Sequence, residues 1–346
     1  MNELKMSLGD RSYRITVGQG LLADAGRYFN LDRRVLILTD GGVPTTYSHR
    51  IAECCEEAEI MTLPEGEATK CLSSLEAVLI KMTEMNMTRE DCVVAVGGGV
   101  IGDLAGLCAA LYMRGIDFYN VPTTLLSQVD SSIGGKTAIN LGGYKNTVGA
   151  FHQPRGVLID TDTLDTLDIR QYRAGLAEVV KMAVTSDEKL FARLESMPSR
   201  GIGGEIEYII LSALKIKKKI VERDERESGE RRLLNLGHTL GHGIEASACG
   251  ALLHGECVAI GMLPMLGEGI RDRVRAVLER LGLPTKIPYG VTGLDPESLS
   301  HDKKATEGGV SCVLVDRIGE GYIRKLSYAE LISLAEGIEV AAEDGR

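Results

Sequence analysis

Residues 91–154 read DCVVAVGGGVIGDLAGLCAALYMRGIDFYNVPTTLLSQVDSSIGGKTAINLGGYKNTVGAFHQP. The stretch opens on an apolar run, Cys92 to Val96, with the length of a buried strand. Three glycines follow, Gly97 to Gly99, and then an apolar segment to Met113 predicted as a helix. A strand, a glycine turn and a helix start present backbone N–H groups to an anion, and the helix dipole favours a negative charge there. Gly97, Gly99 and Gly102 have the spacing of the dinucleotide pattern. That match alone is a weak signal, because such turns also serve plain strand–helix packing. The segments SSIGGKT and GGYKN add to it. They place Lys136, Lys145 and Asn146 in glycine-rich stretches predicted as loops, with Arg114 and Asp130 close in sequence. Lysines beside flexible N–H donors suit a phosphorylated or carboxylated ligand. A single lysine of this kind is usually a solvated surface residue, but several charged residues beside a nucleotide-type turn fit that reading less well.

The chain as a whole sets bounds on this reading. Its 346 residues suit two domains, and 44% hydrophobic content marks a globular chain. A formal net charge of −10 argues against nucleic acid as the main partner, so an anionic ligand needs a local basic site. The first residues, MNELKMSLGDR, carry acidic groups and no apolar core, unlike a signal peptide. No apolar run has the length of a membrane span; Asp103 interrupts the longest. The eight cysteines form no CxxC pair and mostly lie in apolar segments, as Cys92, Cys108 and Cys257 do. That usage points to reduced thiols in a cytoplasmic protein.

In chain order, residues near Arg11 to Val17 alternate like a strand, and Leu21 to Phe29 has the pattern of a short helix. Val35 to Leu38 is a second buried strand, ending in Thr39-Asp40-Gly41-Gly42. An acidic residue at a parallel strand tip can bond a ribose hydroxyl, but a helix N-cap role is the more ordinary one. Ile51 to Glu59 is predicted helical, and Met61 to Leu63 a third strand, followed by PEGEATK with Glu67 and Lys70. Leu72 to Met85 is an amphipathic helix, and Val157 to Asp160 the last strand. Strands alternating with helices predict an α/β domain, a doubly wound parallel sheet, over residues 1–168. From Ile169 onward the periodicity is largely helical, predicting a mainly α-helical second domain over 169–346. Val313–Val315 and Gly321–Lys325 have the pattern of a small hairpin. The run Lys215, Lys217, Lys218, Lys219 reads as a mostly solvated helix face, with at most one or two lysines turned to a ligand.

Three of the six histidines fall within NLGHTLGHGIEASACGALLHGE. His238 and His242 are one helical turn apart, so both can face one metal; His254 follows after a loop and precedes Glu256. On an earlier helix Glu178 shares a face with Lys181. Two histidines and a carboxylate with an open position make a catalytic zinc site. Spacing alone selects His238 and His242 as the ligand pair, or as one ligand and one acid/base group. A metal-dependent dehydrogenase acting on an anionic polyol would satisfy these residues taken together.

The motifs GGGVIGDLAG, YMRG, VPTTLLSQVDSSIGGKTAIN, GYKN, RAGLAEVVK, DERESGERRLLNLGHT, HGE and DKK occur in this order over nearly the whole chain. With them the chain resembles the 3-dehydroquinate synthase family of sugar phosphate cyclases. The resemblance implies a Rossmann-like N-terminal domain, a helical C-terminal domain, NAD, and a zinc or cobalt ion. It assigns the metal to Glu178, His238 and His254, which makes His242 a residue supporting those ligands or an acid/base residue, against the spacing argument. It assigns NAD contacts to Asp40, Glu67, Lys70, Gly98, Gly99, Asp103, Thr123 and Thr124. Gly41 and Gly42 differ from the commoner residues after that aspartate. Substrate and catalytic positions would be Arg114, Asp130, Lys136, Lys145, Asn146, Lys181, Lys217, Arg231 (or the adjacent Arg232), Asn235, His242 and one of Lys303 and Lys304. Of these, Asp130, Lys136 and Lys145 also count toward the cofactor site.

The implied substrate is 3-deoxy-D-arabino-heptulosonate 7-phosphate, converted to 3-dehydroquinate and phosphate in the shikimate pathway. The resemblance also implies a homodimer. Other cyclases of the superfamily, making an aminodehydroquinate, a valiolone or an inosose, are the nearest rivals; Lys217, Asn235 and DKK together favour the dehydroquinate reading. Further off stand a metal- and NAD-dependent polyol dehydrogenase and a non-catalytic NAD- or metal-binding protein.

Overall fold

The protein is described by a computed structural model covering residues 1–197, 203–292, 294 and 309–343. The chain divides into two units, Met1–Asp168 and Ile169–Arg346.

The strands of the first unit are β1 (Asn2–Met6), β2 (Tyr13–Gly18), β3 (Arg34–Asp40), β4 (Glu57–Leu63), β5 (Cys92–Gly97), β6 (Asp117–Pro122), β7 (Lys136–Leu141), β8 (Tyr144–Phe151) and β9 (Gly156–Asp160). Its helices are α1 (Thr45–Ala52), α2 (Leu72–Glu84) and α3 (Gly99–Leu111). Seven strands form one sheet in the order β1-β2-β9-β6-β5-β3-β4. All neighbours are parallel except β1 and β2. The apolar runs explain why: a strand covered on both faces needs apolar residues at every position. Leu36, Leu38, Val93 and Ala95 pack with α2 and α3 on one face. Val35, Ile37, Val94 and Val96 pack with Leu22, Tyr47 and Ile51 on the other.

The order of strands creates a crevice. From β3 the chain steps outward to β4, then crosses back to β5 on the other side of β3. The carboxyl ends of β3 and β5 therefore lie side by side where the winding reverses, the usual ligand position in such sheets. Asp40 ends β3, and Gly97 ends β5.

Several local expectations are corrected. Ile51–Glu59 is not one helix: α1 ends at Ala52, and Glu57–Leu63 is edge strand β4 paired with β3. The solvated edge strand dilutes its apolar pattern with Glu57 and Glu59, which read as helical. Asp40 caps no helix; α1 starts at Thr45 with Pro44 as its cap position. Lys136, Lys145 and Asn146 are not on loops but in the antiparallel hairpin of β7 and β8, turned by Gly142 and Gly143 at φ 59° and 83°. The sheet is also not purely parallel, because β1 adds an antiparallel edge.

The second unit holds α4 (Ile169–Ser186), α5 (Glu188–Ser196), α6 (Ile206–Arg223), α7 (His238–Ser247), α8 (His254–Met262), α9 (Glu268–Arg280) and α10 (Tyr328–Glu336). A hairpin of β10 (Val310–Val315) and β11 (Gly321–Leu326) occurs where alternation placed it. Glycines let α4, α7 and α8 approach closely. A Cβ on Gly255 would lie 2.0 Å from the Ala174 carbonyl oxygen, and one on Gly261 2.5 Å from that of Gly237. Among the described residues no helix is long and apolar enough to cross a membrane.

Candidate active site

In the first unit the crevice is lined largely by main chain. Gly98 precedes α3 in an extended conformation, and no side chain caps the helix, so its first N–H groups keep their capacity for an anion. The turn is tight. A Cβ on Gly98 would meet Thr124 Cγ2 at 3.0 Å, and one on Gly99 would meet Ser131 Oγ at 3.0 Å. Ser131 Oγ and Thr39 Oγ1 are buried without a hydrogen-bond partner. At the tip of β3, Asp40 Oδ1 accepts from the Gly42 N–H at 2.9 Å. Burial pushes the Asp40 carboxyl up, against the lowering effect of that hydrogen bond.

Several positions singled out from sequence are joined here. Lys70 Nζ donates to Asp103 Oδ2 at 2.6 Å and lies 3.9 Å from Glu67 Oε1. Asn140 ties the group to the hairpin. Its Nδ2 donates to Glu67 Oε1 at 2.8 Å, its N–H donates to the Lys70 carbonyl at 2.8 Å, and its Oδ1 accepts from the Asn146 N–H at 2.9 Å. Sequence reasoning missed Asn140, although it closes the TAIN block; a polar amide directly after Ala138 and Ile139 was the available signal. Thr123 donates its N–H to the Gly97 carbonyl at 3.0 Å, and Thr124 Oγ1 accepts from Ser127 at 3.2 Å. Asp130 lies on the short helical turn Ser127–Ser131, and Lys136 opens β7 with an exposed side chain. Lys145 and Asn146 are exposed on β8. Arg114 is exposed after α3, in a run of three left-handed residues, Met113, Arg114 and Gly115, at φ 46°, 70° and 120°. Two consecutive non-glycine residues in that region carry backbone strain.

In the second unit the cluster is made of side chains. Glu178 and Lys181 are one turn apart on α4, each about 1% exposed. Lys181 Nζ donates to Glu178 Oε2. Glu178 Oε1 is buried with no hydrogen-bond partner, and two imidazole nitrogens face it: His238 Nε2 at 3.8 Å and His254 Nε2 at 3.6 Å. His238 starts α7 and His254 starts α8, so convergence depends on the glycine contacts above. The three rings of His238, His242 and His254 lie 5.2–5.8 Å apart, with a nitrogen of each within 4.8 Å of the others. His242 is the exposed member. Burial raises the Glu178 carboxyl, but the Lys181 ammonium and His254 outweigh it and hold the group below the usual range. Burial, Lys181 and the other two imidazoles push His238 well down. Burial lowers His254, while Glu178 and Glu245 carry it up to about 9.

Arg231 and Asn235 adjoin a carboxylate-centred loop. Asp224 accepts from the N–H groups of Ser228, Gly229 and Arg231 at 2.9, 2.7 and 3.0 Å, and from Ser228 Oγ at 3.0 Å. Burial raises its pKa, but these donors bring it down to about 2. Arg231 is fully buried and donates Nη1 to the Glu225 carbonyl, whereas Arg232 is only half-buried. Asn235 Nδ2 donates to Glu227 Oε1 at 2.5 Å. Of the lysine run on α6, Lys217 is buried and Lys215 and Lys219 are exposed. Lys303 and Lys304 lie outside the described residues.

The chain is similar in fold to solved sugar phosphate cyclases. A 2-deoxy-scyllo-inosose synthase, solved with carbaglucose-6-phosphate, NAD+ and Co2+, is 26% identical with a TM-score of 0.87; the match covers 97% of this chain and 100% of that one. A 2-epi-5-epi-valiolone synthase from Streptomyces hygroscopicus subsp. jinggangensis 5008, with NAD+ and Zn2+ bound, is 30% identical with a TM-score of 0.84, covering 95% and 98%. Family models for the 3-dehydroquinate synthase N-terminal and C-terminal domains match residues 60–174 and 175–305. A 3-dehydroquinate synthase of Geobacter metallireducens (strain ATCC 53774 / DSM 7210 / GS-15) is 43% identical over the full length of both chains. The chain belongs to the 3-dehydroquinate synthase family.

Proposed function

We propose that this chain is a 3-dehydroquinate synthase, acting on 3-deoxy-D-arabino-heptulosonate 7-phosphate with NAD and a divalent zinc or cobalt ion. The conversion runs by transient oxidation of a ring hydroxyl, phosphate elimination, re-reduction, ring opening and intramolecular aldol closure. The observation that carries this reading is the buried Glu178 Oε1, unpartnered and faced by two imidazole nitrogens. Donors bound tetrahedrally to one zinc ion lie roughly 3.3 Å apart, close to the separations seen here. Glu178, His238 and His254 fit a divalent ion, which when bound supplies Lewis acidity to a substrate hydroxyl. The glycine turn and the β3–β5 crevice fit NAD, which supplies a hydride acceptor that the cycle regenerates.

The chain's own residues account for the rest. Lys181 neutralises Glu178 at Oε2 and leaves Oε1 for the ion. Asp40 takes the ribose hydroxyls at its carboxylate, and the Gly98–Gly99 N–H groups take the pyrophosphate. Glu67, Lys70, Asp103, Thr123 and Thr124 are the further NAD contacts of this reading. Arg114, Lys136, Lys145 and Asn146, with Asp130 orienting the lysines, bind anionic groups of the substrate. Lys217, Arg231, Asn235 and one of Lys303 and Lys304 are further substrate-binding positions of this reading. His242, the exposed imidazole of the cluster, moves a proton at its ring nitrogen during the oxidation and its reversal. A homodimer in the cytoplasm belongs to the same reading, and light scattering of the purified protein measures the dimer.

The test uses metal-loaded protein, the heptulosonate phosphate and substoichiometric NAD, with phosphate release and NADH absorbance followed together. Many phosphates per NAD with no lasting NADH is the expected result. NADH accumulating without phosphate would overturn it in favour of a polyol dehydrogenase.

A further inference from the structure

The two histidines that face Glu178 are held at their far nitrogens by different partners. His238 Nδ1 donates to the Leu236 carbonyl at 3.2 Å, a main-chain acceptor no substitution removes. His254 Nδ1 donates to Glu245 Oε2 at 3.2 Å. Glu245 sits on α7, seven residues after His238 and three after His242, so the three share one helix face. Its side chain is 13% exposed, and it therefore contacts His254 from within the packed layer. The imidazole of His254 stands between two carboxylates, with Glu245 at Nδ1 and Glu178 Oε1 3.6 Å from Nε2.

We propose that Glu245 is the positioning residue for His254, fixing its ring and tautomer so that Nε2 presents its lone pair to the metal. This rests on the metal reading above. With Nδ1–H held by the carboxylate, Nε2 is the nitrogen that gives up its proton when a metal binds, and a carboxylate acceptor makes it a stronger donor than a carbonyl does. His254 is the ligand that needs such help. It opens α8 after a loop that follows α7, whereas His238 is locked by the turn at Gly237. The glutamate thus does for one ligand with a side chain what the main chain does for the other.

The experiment measures zinc affinity by chelator competition on the full chain, without NAD or substrate, for the wild type, Glu245→Ala and Glu245→Gln. Loss of such a partner weakens a metal site by about 10- to 100-fold. The expected result is a weakening of that size in Glu245→Ala, most of it restored in Glu245→Gln, whose amide oxygen still accepts from Nδ1–H. The metal-free proteins are expected to unfold at the same urea midpoint. The visible spectrum of the cobalt-loaded Ala variant is expected to shift from the wild type's. Wild-type zinc affinity in Glu245→Ala would overturn the proposal and leave the metal reading standing. Equal weakening in Ala and Gln, in step with lost metal-free stability, would overturn it as a packing effect. A wild-type protein that holds no zinc would overturn the metal reading itself. If the Ala variant fails to fold, the Gln variant and Glu245→Asp carry the same comparison.

Discussion

The crevice of the first unit and the cluster of the second solve ligand binding in opposite ways. In the first, strand ends and a glycine turn offer N–H groups, and side chains mainly brace them, as Thr124 does behind Gly98. In the second, helices bring buried charged groups together, and glycines serve only to let the helices close. A main-chain site changes little in stability when its ligand contacts are altered. A side-chain site holds paired charges away from water, so removing one partner there reaches the stability of the unit.

The sharpest way to break that contrast is Glu178→Ala. It removes the buried carboxylate to which Lys181 donates, an expected loss of about 3–5 kcal/mol in urea unfolding, together with the metal. A small loss would show that Lys181 reaches water and that the pair is not truly internal. Next is Gly255→Ala, whose Cβ has no room beside Ala174. Overpacking there is expected to cost roughly 1–3 kcal/mol and to lower metal affinity, since it moves α8 and His254 together.

Asp224 is the place where the second unit borrows the first unit's device, main-chain donors around an anion, but the anion is its own. Its folded pKa of about 2 lies below the ordinary carboxylate value, so its contribution is full above that ordinary value and is lost as pH falls toward 2. The stability difference between wild type and Asp224→Asn is expected to be constant near neutrality and to vanish over that acid range. A difference that persisted at pH 2 would mean the carboxylate charge is not what the donors hold. The smallest stability effect belongs to Gly99→Ala. Its Cβ meets only the side chain of Ser131, so the unfolding free energy should stay within about 0.5 kcal/mol of wild type. NAD binding, followed by fluorescence titration, should weaken about tenfold, the equivalent of one charge-assisted hydrogen bond. An equal loss in both would make the two regions alike after all.

Much of this was legible in the sequence because parallel strands buried on both faces are unbroken apolar runs, as at Val35–Leu38 and Cys92–Val96. The edge strand β4 was not, since its outward glutamates imitate a helix surface. The hairpin of β7 and β8 was hidden because its exposed strands carry lysine, asparagine and glycine where a core strand carries valine. At the metal cluster, periodicity sees only one helix at a time. It finds His238 with His242, but Glu178 arrives from α4, some sixty residues earlier, and only tertiary packing or a family likeness places it opposite the histidines. Glu245 had a signal that was not used: it continues the 238, 242 stripe at the next helical step.

The placement of β2 has a consequence for how the chain is made. It sits between β1, just before it in sequence, and β9, which begins at Gly156. As the chain leaves the ribosome, β2 therefore emerges with the edge that β9 will cover bare, and keeps it bare through most of the synthesis of the first unit. At about 5–20 residues per second, that wait lasts on the order of ten seconds. During it, another nascent chain offers the same edge, and charged side chains of the kind that disfavour edge-to-edge pairing, Arg14 and Lys5, stand opposite each other on this pair.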